Sequence, residues 1–336
     1  MLLRKFSLAT LALLAALSGP AAQAQEKPSV ITIGSTAPGH LKFILAQQQG
    51  WFDKEFAKDG IKINLVSFTG GGSEATTALA TGALDVTYTG SNPALRVAAS
   101  KANVKLIGVS SFVRSSGSFI IVPVNSPLKT VKDLKGKKVA YLAGTVRHSS
   151  LSKALKSVGL STKDIESLNM PFEASGPALV RGDIDAIVET DNVAAVLLEK
   201  GAARVLLDTG THPEWATPNV ISANGDFVKK YPDIVRRLLK VDQQISAWAD
   251  ANYDETVKLY TVGTKSSEKV VRDNFKDGRF HQEPRLTDEA IASLKAEEEF
   301  MSEAGLLKGS VDYAKWVEKA PIEAVYSTLP AAQAKK

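Results

Sequence analysis

The chain has no cysteine in its 336 residues. That excludes a disulfide-stapled scaffold, a thiol nucleophile, a zinc knuckle and a lipidated cysteine behind a leader. Charge of one sign is lacking too: 41 Lys and Arg stand against 36 Asp and Glu, a formal net charge of +5. So near a balance argues against a nucleic-acid partner or a charged membrane-surface role. Past the N-terminal leader no segment approaches the roughly twenty uninterrupted apolar residues of a membrane span. The histidines His40, His148, His212 and His281 have no close pairing, so metal-ligand spacing is missing.

The leader itself reads MLLRKFSLATLALLAALSGPAAQAQEKPS. Arg4 and Lys5 precede an apolar run from Phe6 to Leu17, and Ala22-Gln23-Ala24 has the A-x-A form. This is the pattern of a secretory signal peptide, with cleavage expected after Ala24 and a soluble, unanchored, periplasmic product. The remaining chain exceeds the usual size of one hydrophobic core, so two lobes are expected.

From Val30 the pattern repeats strand, turn, helix. The strand-like runs are VITIGS, KINLVSF, ALDVTYT and VKLIGVSSF, then KKVAYL, IESLNM, IDAIVET and ARVLLD. Between them lie segments with helical apolar spacing, such as Leu41, Ile44, Leu45 and Phe52. Alternation of this kind gives parallel pairing and an α/β fold. Residues 114–121 read as a crossing strand or hinge. Beyond TPNVISANGDF the pattern turns helical, with Asp226 as the expected cap of one helix running to Asn252. The boundaries that follow are 1–24 for the leader, 28–115 and 217–330 for the first lobe, and 116–216 for the second. An internal repeat fits two lobes of similar topology: Ala78 to Val86 and Ala178 to Ala186 share A-L-x-x-G-x-[LI]-D-[apolar].

Catalytic motifs fare poorly. Gly70-Gly71-Gly72-Ser73-Glu74-Ala75 formally matches the dinucleotide fingerprint, but the acid expected at the end of the next strand is Thr89. The P-loop motif G-x-x-x-x-G-K-[ST] is absent. Gly71 to Ala75 falls one residue short of a nucleophile elbow, and the S-x-x-K at Ser150 lacks a following K-T-G. A secreted hydrolase is therefore the alternative from another class. What remains is a set of helix starts: Thr36 to His40, Ser73, Ser91-Asn92, and Thr145 with His148 close behind. In an open parallel sheet such turns gather on one edge, each offering unpaired N–H groups and the positive end of a dipole. Any one of them alone reads as a simple N-cap, and Trp215 as a core residue.

At these turns the chain resembles the solute-binding proteins of ABC importers, in particular the aliphatic sulfonate, taurine and nitrate group. The resemblance is carried by IGSTAPGHLKFILAQQQGWFDKEF, FTGGGSEATTALATGALDVTYTGSNPAL, NSPLKTVKDLKGKKVAYLAGTVRHSSL, RGDIDAIVET and DFVKKYP. It implies a two-lobed periplasmic binding protein fold of type II: two mainly parallel sheets flanked by helices, joined by crossing strands. It further implies a non-enzymatic monomer without cofactor or metal, which closes on a small anionic or zwitterionic ligand and delivers it to a transmembrane permease with its ATPase. Ser73, Ser91 and Thr145 would be anion ligands. Thr36, His40, Asn92, His148, Glu189 and Trp215 complete the expected site. Glu189 departs from the group's pattern and is expected to meet a cationic, hydroxyl or ring N–H group of the ligand. Nitrate, an aromatic carboxylate or a thiamine-type pyrimidine are the other ligands to consider.

Overall fold

The structure, a computed structural model, describes residues 27–36, 39–113, 117–275, 278, 280 and 282–329; the leader with its expected cleavage point and His281 lie outside them. Ten strands form two sheets. The first contains β1 (Val30–Thr36), β2 (Lys62–Phe68), β3 (Val86–Thr89), β4 (Val104–Ser111) and the late strand β10 (Asn219–Asn224), in the order β2-β1-β3-β10-β4. The second contains β5 (Ser118–Pro123), β6 (Lys138–Tyr141), β7 (Glu166–Asn169), β8 (Ala186–Thr190) and β9 (Ala203–Asp208), in the order β7-β6-β8-β5-β9.

Within each lobe the strands joined by helices pair in parallel: β1 with β2 and β3, and β6 with β7 and β8. One antiparallel strand completes each sheet, β10 between β3 and β4, and β5 between β8 and β9. These are the strands that follow each passage of the chain between lobes. Strand β10 is not among the expected strands, yet its Val220, Ile221, Ser222 and Ala223 are buried between β3 and β4.

The repeat is a construction element. Gly82 and Gly182 both take left-handed backbone, with φ of 78° and 80°, which ends the preceding helix and turns the chain into a strand. Three residues on, Asp85 accepts the Thr32 N–H at 2.7 Å and Asp185 accepts the Lys138 N–H at 2.8 Å. Each aspartate thus ties the start of one parallel strand to another, β3 to β1 in the first lobe and β8 to β6 in the second. Burial pushes the Asp85 carboxyl up, against the pull of that N–H.

Side chains in β5 alternate by the two-residue period of a strand: Ile120 and Val122 enter one core layer with Val139, Leu151 and Leu155, and Ile121 enters the other with Ile187 and Leu197. The first lobe's core runs from Ile31 and Phe43 into the C-terminal helices through Leu239, Ile245, Leu294 and Trp316. The expected helix from Asp226 is in fact two, Gly225–Lys230 and Pro232–Ala251, and the cap is Asn224, whose side chain accepts the N–H groups of Asp226 and Phe227. Pro232 has no N–H to continue a ladder and so opens the second helix. Asp226 instead accepts the Asn103 amide. Among the described residues no helix is long and apolar enough to cross a membrane.

Candidate functional site

Six helices follow a parallel strand directly, and their N-caps are His40, Gly71, Gly90, Thr145, Pro171 and Thr190. None of the six has a side-chain cap hydrogen bond. Of the helices elsewhere, Gly225–Lys230, Glu268–Asn274, Asp288–Glu303 and Tyr313–Trp316 are capped by Asn224, Ser267, Thr287 and Asp312, whereas Trp51–Phe56, Pro232–Ala251, Tyr253–Thr264 and Ala320–Ser327 have no side-chain cap either. The strand-edge helices therefore keep their first N–H groups unspent by caps, at the positive end of the helix dipole.

The two lobes meet along this edge. A Cβ placed on Gly71 would lie 2.9 Å from Leu142, one on Gly90 2.9 Å from Val146, and one on Gly144 2.9 Å from Arg96 Nη1 and 3.6 Å from Ser73 Oγ. Gly144 has a φ of 75°, and its bare Cα leaves room for the guanidinium of the opposite lobe. The result is an interlobe seam, a candidate cleft, with Ser73 and Arg96 on one side and the start of helix Val146–Ser157 on the other.

Each expected residue has a definite place. His40 is half-buried, with Nε2 3.2 Å from Thr36 Oγ1 and Nδ1 3.4 Å from Ser110 Oγ. Burial first, and the nearby Lys42 charge second, hold its pKa down at about 4, so the ring is neutral. Beneath it lies a buried network: Lys42 donates to Asp242 Oδ2 at 2.5 Å and to the Gln282 carbonyl at 2.7 Å, and Tyr88 donates to Asp242 Oδ1 at 2.8 Å. Ser73 is exposed. Ser91 is fully buried and donates to Thr217 Oγ1 at 2.9 Å, and buried Asn92 donates to Glu297 at 2.9 Å. The side chains of Ser91 and Asn92 are thus engaged within the protein, and what their turn offers a ligand is backbone N–H. Thr145 likewise donates its hydroxyl to the Leu142 carbonyl at 2.7 Å. His148 accepts the Gly144 N–H at 3.2 Å, its ring centroid 4.8 Å from that of Tyr141, and burial followed by Arg96 pushes its pKa down.

Glu189 is buried at the end of β8 and pairs with Arg147 Nε at 2.6 Å. Burial pushes its carboxyl up more than Arg147 pulls it down. Trp215 stands apart from the Ser73–Arg96 group: it stacks on His212 with ring centroids 3.9 Å apart. It lines a separate cavity of about 530 Å³ with Lys153, Thr217, Glu297 and Phe300. Among the described residues no cluster of His, Asp and Glu could hold a metal ion. Sequence reasoning missed Arg96, Arg147 and Glu297. Arg147 stands two residues past Thr145 and was within reach of the motif reading; Arg96 and Glu297 gain meaning only when the lobes are brought together.

The fold defines a class, the two-lobed α/β proteins whose sheets meet at their strand edges. The family model described as NMT1/THI5 like matches residues 37–255, well over half of the chain, and the chain belongs to that family. A Bacillus subtilis (strain 168) protein named for binding aliphatic sulfonates is 28% identical over 235 residues, covering 70% of each chain. The taurine-binding periplasmic protein of Escherichia coli (strain K12) is 31% identical over 192 residues, 56% of this chain and 58% of its own. The periplasmic aliphatic sulphonate binding protein SsuA from Escherichia coli superposes with a TM-score of 0.74 at 25% identity, over 87% of this chain and 93% of its own. The desulfurization enzyme DSZB shares the fold at 18% identity, with a TM-score of 0.70 over 89% of this chain and 99% of its own.

Proposed function

We propose that this chain is the solute-binding component of an ABC importer. In the periplasm, as a monomer without chemistry of its own, it captures a small sulfonate between its lobes and delivers it to a transmembrane permease driven by an ATPase. One observation carries the reading: helix starts with uncapped N–H groups converge from both lobes where Ser73 and Arg96 face Gly144. Backbone donors at dipole ends suit a compact anion, which a sulfonate is. The names of the relatives point to the same ligand class.

Glu189 refines the choice of sulfonate. Its charge is already met by Arg147, so the ligand need not bring a cation, and we assign an amine-free alkanesulfonate ahead of taurine. Glu189→Gln should then leave the ratio of ethanesulfonate to taurine affinity unchanged; a selective loss of taurine would restore the cationic reading. The non-enzymatic assignment draws on the lack of cysteine and on the histidines. His40 and His148 are engaged with Thr36, Ser110 and Gly144 rather than with Ser73, so among the described residues neither histidine is placed to activate it. The test is thermal unfolding of the mature protein against alkanesulfonates, taurine, nitrate, aromatic carboxylates and pyrimidines. A ligand that binds only the folded state raises the midpoint by mass action. A shift with alkanesulfonates is expected, and no shift with any sulfonate would overturn the assignment.

A further inference from the structure

Glu297 lies on helix Asp288–Glu303, which is seated in the first lobe's core through Ala290, Leu294 and Met301. Its carboxylate is only 1% exposed and is used by both lobes. Oε1 accepts the Asn92 amide at 2.9 Å and the Ser149 hydroxyl, and Oε2 receives the Lys153 ammonium at 2.5 Å. Asn92 sits in the first turn of helix Ser91–Ala99 of the first lobe; Ser149 sits in the first turn of helix Val146–Ser157 of the second. Lys153, one turn further on, also donates to the Trp215 carbonyl at 3.1 Å on the passage between lobes. The Lys153 and Lys156 ammonium groups lie 5.2 and 5.7 Å from the centre of the Phe300 ring, and Lys156 pairs with Glu303 at 2.8 Å.

A buried carboxylate is tolerated only when its lone pairs are answered by donors. Two of the three donors to Glu297 belong to the second lobe, so it is answered in full only while the lobes stand as they do here. The helices it holds are two of those whose starts flank the cleft. We propose that Glu297 is a positioning residue for ligand capture: it locks the closed arrangement from behind the cleft and so sets how long a ligand is held. The proposal rests on the reading of the cleft as the ligand site. It concerns a residue outside the Ser73–Arg96 group, on the wall of the cavity beside Trp215.

The experiment compares wild type, Glu297→Gln and Lys153→Met, the second breaking the same contact from the other lobe should the first fail to fold. Release of pentanesulfonate is followed by stopped flow, and ligand-free protein is measured by small-angle scattering and urea unfolding. Both variants should release pentanesulfonate at least about tenfold faster, with association little changed, because affinity differences within one interface fall mainly on the off-rate. A merely structural role would lower the urea midpoint and leave release untouched. Release within twofold of wild type in both variants overturns the proposal. If wild type binds no sulfonate at all, the functional assignment fails, and scattering decides this proposal separately. A larger radius of gyration in ligand-free Glu297→Gln than in wild type supports the lock, and matching profiles overturn it.

Discussion

Replacing Arg96 by glutamine should have two effects of opposite sign: weaker sulfonate capture and a more closed ligand-free protein. The guanidinium belongs to the first lobe but abuts the second at Gly144, with Nη1 2.9 Å from the place a Cβ would take. It stands beside the start of helix Val146–Ser157, the end of a dipole equivalent to about half a positive charge. Without an anion the two positive features repel across the cleft; with one between them both attract it. Two unit charges 4 Å apart interact by about 4 kcal/mol at a protein surface and about 1 kcal/mol in bulk water. Arg96 is exposed, so the watery end of that range applies, about 1–2 kcal/mol after screening. The matching loss of affinity is roughly five- to thirtyfold. Calorimetric titration with pentanesulfonate at low and at physiological ionic strength measures it, and the loss should shrink as salt rises. Arg96→Lys keeps the charge but gives up the planar fork, and should fall between. An affinity for Arg96→Gln within twofold of wild type at low salt, together with unchanged scattering of the ligand-free protein, would refute the reasoning.

Three further outcomes are expected. Asp85→Ala should lower stability by about 1–3 kcal/mol in urea unfolding, since the Thr32 N–H loses its acceptor, and Asp185→Ala should act in the same direction by the lower part of that range because its site is more open. His40 has a folded pKa of about 4 against an ordinary 6.5, so the unfolded chain binds more protons between those values. Stability contributed by neutral His40 is present above that window and is lost as pH falls through it, by about 3 kcal/mol in all. His40→Gln should flatten the urea midpoint between these pH values relative to wild type. Gly144→Ala should cost more than Gly182→Ala: both have positive φ, worth about 1–2 kcal/mol, but only at Gly144 does the new methyl meet a side chain of the other lobe. Equal midpoints for the two variants would show that the lobes do not press together there.

Local pattern carried the parallel strands well, because a β-branched run followed by a helical face needs no distant partner to be recognised. KINLVSF is strand β2 to the residue. Strand β10 escaped notice because its partners, β3 and β4, lie far away in the chain and its ends are the polar Asn219 and Asn224. The break at Tyr231 was hidden by apolar spacing that continues across it, although Pro232 marked the place. In the candidate site the helix starts were legible as turns, whereas the use of each side chain was not. Ser91 and Asn92 are short and polar at a turn, which suits a ligand or an internal partner equally, and only the fold shows Thr217 and Glu297 beside them. Nothing local in the sequence singles out Arg96, whose place is set by Gly144 of the other lobe.

The strand order bears on how the chain acquires its shape. All five strands of the second sheet lie in one unbroken stretch, Ser118 to Asp208, so that lobe can form as soon as its own residues are available. The first sheet is left with a gap between β3 and β4 until Asn219–Asn224 arrives. A chain emerging from its N-terminus therefore assembles its inner segment first and seals its outer one last. Long-range pairing of this kind is slow to form, which makes closure of the first sheet the expected late step of folding.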